Sequence, residues 1–173
     1  EGLLAAALQG LRLAVMIACI GAANALANPK RLLRAMPAAL HEIGMSISHD
    51  DFHRHGAYIV EHADAAGFAQ HQQQRLATLL LAQRGGLRKV EPALSDALLR
   101  DQTLSLRLAL LLCHARRDPS PGRLALQRIA AGYRLDVDAA WAAAHPQSMH
   151  LLREEQKAWA RLSWTLELTV VPT

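Results

Sequence analysis

A chain of 173 residues is expected to form one domain with room for a small appendage, and it is long enough to bury a core without disulfide or metal staples. Apolar residues make up 51% and aromatic residues only 4%, a balance that suits Ala/Leu helical packing and argues against a sandwich or barrel. Nineteen Lys and Arg against fifteen Asp and Glu leave a formal charge of +4, too modest for a dedicated nucleic-acid binder; an ordinary solvated surface and attraction to another polyanion both stay open.

The pattern from residue 1 to 118 is helical throughout. One or two helices are expected over residues 2–26, ended by Asn28-Pro29. Residues 13–27 follow Arg12 and mimic a secretory signal. They are shorter than the roughly twenty residues of a spanning helix and carry Asn24, so they read as a buried core helix, with no membrane partner implied. Cys19 and Cys113 both fall in apolar helical runs. They read as free thiols in a reducing, cytoplasmic setting. A chain that opens on Glu1 rather than Met is expected to be a fragment or a processed product.

A second helix is expected over residues 30–44, with Gly44 as its stop. Residues 46–51 form a loop, and Asp50 or Asp51 is placed to cap a helix over 52–65 that Gly67 breaks. Residues 70–83 carry Leu76, Leu79 and Leu80 on one face and close at Gly85-Gly86. Glu91-Pro92 is expected to open a short helix to about Arg100. Residues 102–116 follow as a strongly apolar central helix.

The run 118–122, Asp-Pro-Ser-Pro-Gly, marks the clearest boundary, dividing a helical domain (1–118) from a small α+β subdomain (119–173). Leu124, Leu126 and Ile129, then Tyr133, Leu135 and Val137, predict a β-hairpin with Gly132 in its turn. Asp138 should cap a helix containing Trp141, which His145-Pro146 interrupts. Helix resumes over 149–162, and residues 164–170 alternate as a returning strand. The tryptophans Trp141, Trp159 and Trp164 should fill the junction of sheet and helices.

Four of the nine histidines fall between His41 and His55. His41-Glu42 offers an imidazole beside a carboxylate, a fragment of a Zn, Mn or Fe site. A helical His–Asp phosphohydrolase would also need a His from an earlier helix and an Asp from a later one. Residues 1–40 contain no His, and Leu112-Cys113-His114 stands where the Asp is wanted. The pair therefore reads as a degenerate metal motif, with no metal assigned. His53, Arg54 and His55 begin a helix, where free amides and the helix dipole favour an anion; the competing reading packs one His inward and leaves Arg54 in solvent. Arg84, Arg88 and Lys89 flank Gly85-Gly86, a basic loop that can approach phosphates or simply be solvated. No Gly-Lys-Ser/Thr phosphate loop occurs. His62, His71, His145 and His150 show no ligand spacing and read as surface or satisfied core residues.

The run Ala38-Ala39-Leu40-His41-Glu42-Ile43-Gly44, then Ile47-Ser48, then His53-Arg54-His55-Gly56-Ala57-Tyr58-Ile59-Val60, resembles the C-terminal domain of the exopolyphosphatase / guanosine pentaphosphate phosphohydrolase family. Gly67-Phe68, Leu106-Arg107-Leu108 and Trp164-Thr165-Leu166-Glu167-Leu168 fit the same pattern, and Glu1-Gly2-Leu3-Leu4 resembles the end of that family's actin-like half. The resemblance implies an HD-like helical bundle followed by a small α+β appendage. It implies release of terminal phosphate from inorganic polyphosphate, in some members from guanosine pentaphosphate, with Mg²⁺ and catalysis in the actin-like half and no cofactor in this part. It further implies a domain that binds the polyanion and supports a homodimer, with no catalytic residue here. By matching position, His53, Arg54, His55, Arg84 and Lys89 are the implied polyphosphate contacts. Two departures stand out: His41-Glu42 replaces His-Asp, and residues 5–10 are shorter and less polar than the family's linker. The competing function is an autonomous metal-dependent HD-type phosphohydrolase centred on His41 and Glu42.

Overall fold

The computed structural model describes residues 43–64, 69–112 and 123–172. The described chain is mainly helical, with a three-stranded sheet towards its C-terminus, as periodicity predicts. It falls into two compact units. One takes residues 43–84 and 93–106, the other residues 85–92 and 107–172. The helices expected before Ile43, the Gly67 break and the boundary expected at 118–122 lie outside the described residues.

In the first unit, residues 43–45 are helical and a loop leads to helix α1, Phe52–His62. Gly44 does not stop a helix; it is still inside one. Its value is space, because a Cβ there would run into the backbone carbonyl of Phe52. Asp51 occupies the N-cap position of α1 but its side chain caps nothing. Its backbone is left-handed (φ 53°), whereas a capping residue is extended and aims its side-chain oxygen at the first-turn amides. The Asp51 carbonyl instead accepts from the Arg54 N–H at 2.7 Å and the His55 N–H at 3.3 Å.

Helix α1 buries Phe52, His53, Gly56, Ala57 and Val60. This three-to-four spacing forms the inward stripe of an amphipathic helix. Helix α2, Gln70–Ala82, answers with Leu76, Ala77 and Leu80, and the two faces join Ile43 and Leu81 in one apolar cluster. The Gln73 amide donates to the carbonyls of Ala63 (2.7 Å) and Val60 (3.3 Å), so α2 satisfies the open end of α1. Leu76, Leu79 and Leu80 are buried together, as their spacing predicts.

Glu91-Pro92 does not open an α-helix. Both residues lie inside a 3-10 helix, Leu87–Ser95, and helix α3 runs Ala97–Leu112. Asp96 is the start signal: Oδ1 accepts from the amides of Leu98 (2.8 Å) and Leu99 (3.2 Å). Arg75 of α2 reaches the same segment, donating to Gln102 Oε1 at 2.9 Å and to Asp96 Oδ2 at 3.2 Å.

In the second unit, strands β1 (Leu124–Ile129) and β2 (Gly132–Asp138) are antiparallel, and β3 (Thr165–Val171) lies parallel to β2, giving the order β1-β2-β3. Ile129 pairs with Gly132, so the turn is Ala130-Ala131 and not Gly132. Gly132 has φ 150°, and a Cβ there would strike the Thr165 carbonyl of β3; the glycine serves close strand approach. Tyr133, Leu135 and Val137 alternate into the core, while β1 is largely exposed.

A parallel pair needs a crossover, here α4 (Ala139–Ala144) and α5 (Pro146–Ala160). Asp138 caps α4 as predicted, accepting from the Trp141 N–H at 2.9 Å, and also pairs with Arg123 at 3.0 Å. Pro146 at the first position of α5 makes the expected interruption. Trp159 of α5 is fully buried, its ring 6.3 Å from that of Tyr133 in an edge contact.

Candidate functional site

The first turn of α1 carries His53, Arg54 and His55. Consecutive residues of a helix point about 100° apart, so the three diverge. His53 is buried, only 6% exposed, with its ring edge-on to Phe52 at 5.8 Å. Arg54 is exposed and His55 half-buried. The surface therefore carries Arg54 and His55 while His53 packs inward, the arrangement that the competing reading of this motif expects.

Arg84, just past the C-terminal end of α2, packs on Phe52, the first residue of α1. Its guanidinium carbon lies 5.4 Å from the centroid of the Phe52 ring. The negative face of the ring attracts the cation, at about 0.5–1 kcal/mol for an exposed pair. Arg84 thus packs on the first residue of α1, while helix geometry turns Arg54 about 160° away from Phe52 round the axis. Asp51 tempers the local charge: its carboxylate is 3.9 Å from Arg54 Nε, but both side chains are more than half exposed, and such a pair is weak enough for another anion to displace.

Lys89 belongs to the second unit. Gly85 is left-handed (φ 75°), and Lys89 Nζ lies 3.6 Å from where a Gly85 Cβ would stand. The Gly85 carbonyl accepts from Arg107 Nη1 at 3.1 Å. Arg88 is exposed beside them. The described residues therefore carry two basic patches, the α1 start with Arg84 in one unit and residues 85–89 in the other.

His41 and Glu42 lie outside the described residues. Among the described residues there is no group of three or more His, Cys, Asp or Glu that could hold a metal ion. His62 and His145 are satisfied locally. Each stacks on the aromatic ring four residues earlier, Tyr58 at 4.2 Å and Trp141 at 4.4 Å, and each Nδ1 meets that residue's carbonyl, at 2.9 and 2.8 Å. A carbonyl only accepts, so Nδ1 carries the proton. Among the described residues no helix is long and apolar enough to cross a membrane.

The strongest polar assembly is one that residue spacing does not expose. Arg107 on α3 and Glu155 on α5 are buried together. Arg107 donates through Nε to Oε1 at 2.5 Å and through Nη2 to Oε2 at 2.7 Å, and Trp159 Nε1–H adds a bond to Oε1 at 2.7 Å. The available signal was an arginine between Leu106 and Leu108, because a guanidinium set in an apolar run is rarely buried without a carboxylate.

Residues 11–156 match the family Ppx/GppA phosphatase, domain III. The chain belongs to this family. The matched span holds both basic patches and reaches past Glu155, so the Ppx/GppA domain III match takes in α1, α2, the 85–89 loop and the Arg107–Glu155 pair. It agrees with the resemblance carried by the motif from Ala38 to Val60.

Proposed function

We propose that this chain is the polyanion-holding domain of an exopolyphosphatase. In this reading an actin-like half of the same polypeptide, with Mg²⁺, releases terminal phosphate from inorganic polyphosphate or guanosine pentaphosphate. This domain grips the polymer and supports a homodimer in the cytoplasm. The observation that carries the reading is that one unit holds two basic segments, Arg54 and His55 in the first turn of α1 and Arg84 packed on Phe52, in a chain that matches Ppx/GppA domain III. Residues 85–89, with Lys89, supply a second foothold. Each contact is weak alone. A flexible chain with a charge on every phosphate engages many of them, and the gain comes from release of its counterions.

The test is titration of inorganic polyphosphate into the protein between about 50 and 200 mM salt. Affinity should fall steeply with salt, and Arg84→Ala and His55→Ala should each weaken binding several-fold. Binding indifferent to salt and to both substitutions would sink the reading. Turnover by this chain that depends on His41, with one tightly held Mn, Fe or Zn, would instead favour an autonomous HD-type phosphohydrolase.

A further inference from the structure

The Arg107–Glu155 pair invites the question of why an ion pair is buried there at all. Taking both charges out of water costs about as much as their attraction returns, and apolar residues of similar volume would hold the same elements together. An apolar pair cannot donate a hydrogen bond. Arg107 spends two of its nitrogens on Glu155, and the third, Nη1, donates to the Gly85 carbonyl at 3.1 Å. Trp159 fixes the carboxylate from the other side through its indole N–H. The guanidinium is planar and rigid, so a carboxylate that sets Nε and Nη2 also sets where Nη1 points.

The residue it reaches, Gly85, stands two positions before the 3-10 helix Leu87–Ser95 that carries Arg88 and Lys89. Gly85 is left-handed at φ 75°, Lys89 Nζ lies beside it, and Leu87 and Val90 on either side of Arg88 and Lys89 are buried. The turn and the start of the 3-10 helix are thus anchored by two apolar side chains and one buried donor, with the two cations between Leu87 and Val90. We infer that Arg107, aimed by Glu155 and Trp159, is a positioning residue for the basic 85–89 segment, the Gly85-Gly86 turn and the start of the 3-10 helix, holding Lys89 and Arg88 in the arrangement that meets polyphosphate. The functional half of this statement rests on the polyanion reading above; the geometric half does not.

The experiment uses the full chain carrying Arg107→Met together with Glu155→Gln. This pair removes the buried charges and the donor to Gly85 yet keeps an acceptor for the Trp159 indole. Arg107→Lys is the second variant: it retains the charge, but a point-like ammonium cannot serve Glu155 side-on and Gly85 at once. Two readouts are taken at the same pH. Amide hydrogen exchange over residues 85–89 should quicken by about tenfold or more in both variants, while the amides pairing β2 with β3 stay protected. Polyphosphate affinity should fall by about tenfold, with a salt dependence shallower by about one released ion. Unchanged exchange at 85–89 in a folded variant overturns the inference. Faster exchange with polyphosphate affinity unchanged from a binding-competent wild type also overturns it, because the loop would then be held for some other end. If the wild-type chain itself fails to bind polyphosphate while the exchange result stands, the polyanion reading fails and the loop-anchoring role survives.

Discussion

Glu155 and Arg107 meet side-on through two hydrogen bonds across 48 positions of sequence, and both are more than nine-tenths buried. Removing one member leaves the other charged and dehydrated. Glu155→Ala should therefore cost about 3–5 kcal/mol in urea or thermal unfolding. The neutral double change Arg107→Met with Glu155→Gln should cost far less, and an equal loss in the two would show that the site needs its charges for stability.

Asp96 ties three groups together, and its carboxyl is held below the usual Asp range. The Leu99 amide is the chief cause; desolvation opposes it, and the Leu98 amide and Arg75 add to it. A depressed carboxyl stabilises the fold above its unfolded value, near pH 4, and that contribution is lost as pH falls through the lower folded value. Asp96→Ala should accordingly have a lower Tm than wild type at pH 7. The gap should narrow as pH drops below about 4. A gap that is constant with pH would mean the ionised form is not what α3 uses.

Thr103 is completely buried and its hydroxyl has no hydrogen-bond partner among the described residues. Thr103→Val replaces that hydroxyl with a methyl of the same shape, and should raise stability by about 1 kcal/mol. Gln83, at 7% exposure with both amide atoms unpartnered among the described residues, should respond in the same direction to Gln83→Met. Denaturant midpoints check both. Destabilisation would reveal that these polar atoms are in use.

Gly132→Ala should destabilise the sheet by more than about 1 kcal/mol. Its φ of 150° is strained for alanine, and the added methyl would meet the Thr165 carbonyl. Loss of protection should be greatest at the amides joining β2 to β3. If the Gly132→Ala protein unfolds at the same midpoint as wild type, β3 does not pack as closely as described.

What could be read from residues alone was whatever is written locally. The period of Leu76, Leu79 and Leu80 marked α2. The Asp138 cap, the His145-Pro146 break and the alternation of β3 each lie within a few positions of the element they define. Tertiary contacts were not legible. Gly44 looks like a helix stop until Phe52 is seen packed against it. Gly132 looks like a turn residue until β3 arrives. Glu91-Pro92 outweighed Asp96 as a start signal because proline is conspicuous, although a 3-10 helix accommodates it. At the candidate site, the motif around His53 marked the start of a helix but not which ring turns inward. The approach of Arg84 to Phe52 depends on how α2 folds back, which no spacing records.

The sheet places its best-buried strand, β2, between one neighbour that precedes it and another that follows only after α4 and α5. A ribosome-bound chain that has just made the hairpin therefore leaves one backbone edge of β2 unpaired, and its Tyr133 still lacks the Trp159 ring that packs on it. That edge stays sticky until Thr165–Val171 emerges. Assembly of the sheet must wait for β3, and a product cut back to Ala160 would be prone to clump rather than merely weaker.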